Sequence, residues 1–180
     1  MDARSQYVVV LPYDPTWPEL FRQEASRLRG LLPDEIVSIH HIGSTSVPGL
    51  SAKPIVDVLV EVRDIQRIDG YNPRMISAGY QPEGENGLPG RRFFVRGNDS
   101  NRTYHIHMYQ TGHPDIPRHL HFRDYLIAHP EDRQAYEALK IDLAQRYPHD
   151  RPAYQAGKET LIKAIEAKAE AWSSLAPAVE

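Results

Sequence analysis

Asp57 is the residue of this 180-residue chain with the most chemistry to offer. It stands in the run Ile55 to Val62, IVDVLVEV, whose only other charged residue is Glu61. A carboxylate inside an apolar strand needs a partner, a proton or a metal, because burying a bare charge is costly. On a strand Ile55, Asp57, Leu59 and Glu61 share one face. An acid there could hold Mg²⁺ against a substrate's phosphates. A plain ion pair with Lys53 or with one of the arginines in the middle of the chain would account for it equally.

The approach to that strand is HHIGSTSVPGLSAKP, residues 40–54. Gly43, Ser44 and Thr45 offer small side chains, hydroxyls and open backbone, the material of a phosphate-binding nest. They also suit an ordinary strand-to-loop turn. No GxxxxGK[ST] pattern occurs, so this is not a P-loop. Lys53, directly before the strand, could neutralise phosphate as a point cation or could be a solvated strand-entry residue.

In Tyr104-His105-Ile106-His107-Met108 the two histidines share a strand face. Imidazoles so placed can ligate a metal, and His107 beside Asp57 could carry a proton. They can equally be half-buried and hydrogen-bonded on a sheet. His119 and His121 follow at a helix start, so Asp57, His105, His107 and His121 form a candidate metal set. Arg92, within the cluster Arg91, Arg92, Arg96 and Arg102, and Arg123 are candidate phosphate clamps; edge-strand charge is the bland reading of that cluster. Lys158 joins the candidates beside Gly157, whose place inside a helix points to close packing or close ligand approach.

These residues need a scaffold, and the composition supplies one. The chain is 41% hydrophobic and 25% charged, which suits one globular domain over residues 1–180. A formal charge of −3 gives no basic signature for nucleic acid. Without cysteine there is no disulfide, thiolate site or Cys nucleophile. The N-terminal apolar run is too short for a secretory signal and no stretch is long enough to span a bilayer, so a cytoplasmic location is expected.

Along the chain, Tyr7 to Leu11 predicts a first strand, and Trp17 to Arg29 a helix stopped by Gly30. Ile36 to Ile42 and Ile55 to Val62 predict strands, the second central and buried on both faces. Arg63 to Ala78 is weakly helical, Gly79 to Pro82 predicts the start of a strand before a Gly-rich loop over residues 83–90, and Arg92 to Arg96 with Arg102 to Gln110 reads as a hairpin about Gly97-Asn98-Asp99. Three helices follow, from Arg118 to Ala128, Glu131 to Arg146 and Arg151 to Trp172, before a frayed tail SSLAPAVE. The class is α+β, a mixed β-sheet flanked by helices, with a strand-rich core at about 8–116 and a helical part at 117–172.

The stretch HIGSTSVPGLSAKPIVDVLVEV closely resembles the signature of the GrpB family. VVLPYDPTWPELFRQEASRL resembles that family's N-terminal region, and HLHFRDYLIAHPEDRQAYEALKIDLAQRY with Tyr154 to Lys158 its C-terminal helices. The resemblance runs from about Val8 to Ala169. It implies a nucleotidyltransferase-like fold, in a family with some members fused to dephospho-coenzyme A kinase. In that superfamily a Gly-Ser turn holds the triphosphate, and two acids one residue apart on the next strand, with a third on a neighbour, hold two Mg²⁺ ions. Gly43 and Ser44 match the turn and Asp57 the first acid. Leu59 stands where the second would be, and His105 and His107 where the third is expected.

Together these readings predict a cleft around Ser44 and Asp57 that binds a nucleotide or phosphorylated small molecule. A divalent ion (Mg, Mn or Zn) and nucleotidyl transfer to an acceptor are one expectation. A binding module without chemistry and a His/Asp metal enzyme are the others.

Overall fold

Runs rich in valine and isoleucine become the sheet, because β-branched side chains fit a pleated, buried surface. A computed structural model describes residues 7–98 and 101–175. Its strands are β1 (Ile36–Ile42), β2 (Val56–Val62), β3 (Tyr80–Pro82), β4 (Arg91–Asn98) and β5 (Asn101–Gln110). Its helices are α1 (Trp17–Leu31), α2 (Asn72–Ser77), α3 (Asp115–Ala128), α4 (Pro130–Arg146) and α5 (Arg151–Leu175). Short 3₁₀ turns occupy Ser44–Ser46 and Ile65–Tyr71. This is the expected α+β arrangement, a mixed sheet with helices on its faces.

The sheet order is β1-β2-β5-β4-β3. β2 lies inside it, antiparallel to β1 and parallel to β5. Its two faces have different covers. Val56, Val58, Val60 and Val62 pack with Trp17, Leu28, Ile68 and Met75 beneath α1 and α2. On the other face Leu59 packs with Ile42, Tyr109 and Ile116, under the start of α3. The C-terminal helices build their own cluster from Tyr125, Leu126, Tyr136, Ile165 and Ala169. Val47 and Leu50, from the loop after the Gly43–Thr45 turn, are buried in it. That loop therefore ties the turn to the helices, and a cleft remains between them.

Three expectations are corrected. Tyr7 to Leu11 is not a strand: its only ladder contact is an isolated bridge from Leu11 to Ala52, and Val8 N–H bonds to the Pro148 carbonyl instead. Gly30 does not stop α1, which runs on to Leu31 because Leu28 and Leu32 anchor its end in the core. The hairpin strands extend one residue earlier at Arg91 and two residues later at Asn98, and the second begins at Asn101. Asp99 of the expected turn and most of the expected frayed tail lie outside the described residues, although Ser173 to Leu175 belong to α5. Among the described residues no helix is long and apolar enough to cross a membrane.

Candidate functional site

The backbone at Gly43 is in the left-handed region, with φ of 69°, and a Cβ there would come within 2.7 Å of Asp57 Oδ2. Only glycine meets both demands at this position. We expect Gly43→Ala to lower stability by about 1–3 kcal/mol through backbone strain and a displaced carboxylate. Urea unfolding would measure that loss, with Gly49→Ala, at φ of 80° and in open space, as the control for strain alone.

Asp57 opens β2 beside His105, its register partner on β5, with His107 two residues further along the same face. Asp57 Oδ1 lies 3.3 Å from His105 Nδ1 and 3.2 Å from His107 Nε2. A carboxylate can only accept, so both imidazoles donate. Arg91 Nη1 donates to His107 Nδ1 at 3.3 Å, which leaves Nε2 as the nitrogen that carries the proton toward Asp57. Burial pushes the Asp57 carboxyl up, but the two imidazole donors outweigh it and hold it well below the usual carboxylate range. Burial lowers the His107 pKa, with Asp57 opposing. A carboxylate held this low is a fixed anion and a poor proton acceptor.

The cleft in front of Asp57 has a volume of about 200 Å³. Gly43, Ser44 and Thr45 form one wall, Lys53, Asp57 and His105 the floor, and Tyr136, Lys140, Tyr154 and Lys158 the helical side. Lys140, only 2% exposed, donates to Ser44 Oγ at 3.0 Å and to the Ser51 carbonyl. Its ammonium lies 4.6 Å from the Tyr136 ring centre, and Lys158 lies 4.4 Å from that of Tyr154. Among the described residues no carboxylate forms an ion pair with Lys53, Lys140 or Lys158. Burial and mutual repulsion bring Lys140 down to about 7 and Lys158 to about 8, and burial lowers Lys53 as well.

Gly157 explains how α4 and α5 hold these lysines together. A Cβ on it would meet Leu143 Cδ2 at 2.5 Å, so the Leu143 side chain of α4 packs directly against the bare backbone of α5 and would have to move for any larger residue. The close packing expected for this glycine is present.

Of the sequence-predicted site residues, Gly43, Ser44, Thr45, Lys53, Asp57, His105 and Lys158 line one cleft, and His107 supports it from behind Asp57. Three others lie elsewhere. Arg92 makes a bidentate pair with Asp69, 2.7 and 2.8 Å, because β4 turns it toward the 3₁₀ turn at Ile65–Tyr71. Arg123 donates to the His41 carbonyl at 3.0 Å and pairs with Asp124, fastening α3 to the end of β1. His121 faces Glu170 on α5, 3.2 Å away, and does not join Asp57. Lys140, Tyr136 and Tyr154 were not among the expected phosphate contacts. Their signal is in the sequence: each of α4 and α5 carries a tyrosine with a lysine four residues later, Tyr136-Lys140 and Tyr154-Lys158.

The donors around Asp57 do not suit the two-metal centre that the resemblance implies. Mg²⁺ asks for several oxygen ligands. Here Oδ1 is engaged by two imidazoles, and position 59 is a leucine with no exposure, packed among Ile42, Tyr109 and Ile116. Among the described residues no group of three or more His, Cys, Asp or Glu is arranged to hold a metal ion.

The sheet order, the glycine turn between β1 and β2, and the acid near the start of β2 define a mixed-sheet α+β domain with a lysine-lined cleft. The chain belongs to the GrpB family, whose model, described as GrpB protein, matches residues 7–168. It is 46% identical to the UPF0157 protein YqkA of Bacillus subtilis over 92% of this chain and 48% of that one. The crystal structure of the conserved protein GrpB from Enterococcus faecalis superposes with a TM-score of 0.87 at 41% identity, covering 91% of this chain and 99% of that chain. A protein of Mycobacterium bovis named dephospho-CoA kinase is 26% identical over 91% of this chain and 46% of its own length. The chain thus spans about half the length of the Bacillus and Mycobacterium relatives.

Proposed function

We propose that the domain binds the phosphate groups of a nucleotide or phosphorylated metabolite in the cleft between the Gly43–Thr45 turn and helices α4 and α5. One observation carries this reading. Three lysines converge on a buried cavity, two of them almost wholly out of water, and no carboxylate among the described residues forms an ion pair with any of them. Like charges gathered under low solvation repel one another and destabilise the empty fold. An anionic ligand supplies the missing charge. The Ser44 hydroxyl at the turn adds one further phosphate partner.

Binding is favoured over transfer. Asp57 is a fixed anion rather than a base, and its surroundings lack the oxygen ligands that metal-dependent nucleotidyl transfer requires. The relative named dephospho-CoA kinase carries a similar segment, which makes dephospho-CoA one ligand to try.

The test is a thermal-shift panel of nucleoside triphosphates, diphosphates, coenzyme A and dephospho-CoA, with and without Mg²⁺. A ligand present at 100 times its Kd stabilises the native state by about 2.7 kcal/mol, enough for a shift of several degrees. At least one phosphorylated compound should give a saturable shift, and its unphosphorylated counterpart none. A panel that leaves the midpoint unmoved throughout would reject the reading.

A further inference from the structure

Two features of the cleft point past phosphate binding in general. The first is its size. A volume of about 200 Å³ is below the ~300 Å³ at which pockets begin to enclose a drug-sized ligand. A chain of phosphates fits such a space, and a whole nucleotide does not. The second is the kind of charge that lines it. Where the related fold places acids to collect metal ions, this chain places Leu59 and two histidines that are committed to Asp57, and it brings in cations from the helical side on α4 and α5 and from Lys53 on the floor. Ammonium groups meet phosphate oxygens directly and need no divalent ion between them.

We propose that the site recognises a polyphosphate tail, two or three linked phosphates held by Lys53, Lys140 and Lys158 without a divalent metal ion, and leaves the rest of the ligand outside the cavity. This rests on the phosphate-binding reading above and gives it a substrate class. Selectivity then follows phosphate number and not the base, because the lysines that define the site meet phosphate oxygens and not the base.

The ionisation of the site supports this. Around Lys140 stand the Ser44 hydroxyl, the Ser51 carbonyl, the Tyr136 ring, Glu137, Lys53 and Lys158. Around Lys158 stand Tyr154, Lys53, Asp57 and Arg151. Lysines lowered to about 7 and 8 in the empty cleft are partly neutral at pH 8. A bound polyanion raises both, so binding takes up protons from the buffer.

The experiment is isothermal titration of the full chain at pH 8 with EDTA present, in two buffers of different ionisation enthalpy. Inorganic tripolyphosphate, pyrophosphate, orthophosphate, ATP, GTP, UTP, AMP and adenosine are the ligands. Tripolyphosphate and the three nucleotides are expected to bind within ~10-fold of each other, AMP and orthophosphate at least ~30-fold more weakly, and adenosine not at all. The two buffers should report net proton uptake. Lys53→Met and Lys158→Met should each weaken tripolyphosphate and ATP in parallel, by ~10-fold or more, with the fold confirmed by circular dichroism. The inference is overturned, and phosphate binding kept, if nucleotides bind but tripolyphosphate fails to compete with them. The same holds if binding appears only when Mg²⁺ replaces EDTA. If no phosphorylated compound binds under either condition, the underlying reading falls with it.

Discussion

Lys140→Met should make the protein more stable near neutral pH and at the same time lose its affinity for phosphate. The two effects come from one cause. Lys140 is buried on α4 with other lysines for neighbours, and burial lowers it from 10.5 to about 7. A shift of that size corresponds to a native-state penalty on the order of 5 kcal/mol for keeping the charge, before the hydrogen bonds to Ser44 and Ser51 are counted. Methionine has a similar length and no charge. After the lost hydrogen bonds are subtracted, a net gain of about 1–3 kcal/mol remains.

The pH dependence separates this explanation from a simple packing gain. Between about 7 and 10.5 the unfolded chain holds a proton on Lys140 that the folded chain has released. Wild-type stability therefore rises with pH across that window, and the variant lacks this contribution. Its advantage should be full below pH 7 and should shrink toward pH 10. Guanidinium unfolding at pH 6.5 and pH 9.5 measures it. Phosphate affinity should fall by ~30–100-fold, the worth of one or two charged hydrogen bonds. A variant that is less stable than wild type and binds equally well would show that Lys140 is a structural residue.

The sequence exposed the strands of the site better than its helices. β1 and β2 were legible because short runs rich in valine and isoleucine between turn residues have few alternatives, and Asp57 stood out because nothing else in its run is polar until Glu61. Leu59 was visible as a departure from the family pattern, although its cause was not. The cause is tertiary: α3 lays Ile116 over that face of β2, which makes position 59 a core site where an acid would be buried unpaired. Lys140 was missed for the opposite reason. A lysine in a helix is normally a solvated side chain, and its position in the stripe of Tyr136 and Leu143 matters only once α5 closes over it. Arg92, Arg123 and His121 looked like ligand groups by type. Each has an acid or a carbonyl assigned to it by neighbours far away in sequence, at Asp69, His41 and Glu170. The strand expected at Tyr7 to Leu11 failed because an apolar run forms a strand only when a partner edge is available, and here just one bridge is made.

Asp57→Asn distinguishes a lysine cleft from a metal centre by the sign of its effect. In a metal centre Asp57 would be an essential ligand, and neutralising it would cost ~100-fold or more in affinity for a metal-bound nucleotide. In the cleft described above, Asp57 is the one anion on a wall that faces cations, and it acts on Lys53 and Lys158. Asparagine keeps an oxygen that can accept from His105 and His107 while removing a negative charge from beside the phosphates. Tripolyphosphate affinity should therefore hold or rise by ~3–10-fold. The fold should weaken, because charge-assisted hydrogen bonds from both imidazoles become neutral ones, a loss of about 1–3 kcal/mol at pH 7. That loss has its own pH signature. The Asp57 carboxyl is lowered in the native state, so its contribution is complete above the unfolded value of 3.8 and disappears only as pH falls below it, toward the depressed native value. Wild type and variant should thus differ by a constant amount from pH 5 to pH 7 and converge in acid. Titration with tripolyphosphate and urea unfolding across that range measure the two halves together. Weaker anion binding in a folded Asp57→Asn protein would return the site to a carboxylate-centred chemistry and remove the lysines from the leading role.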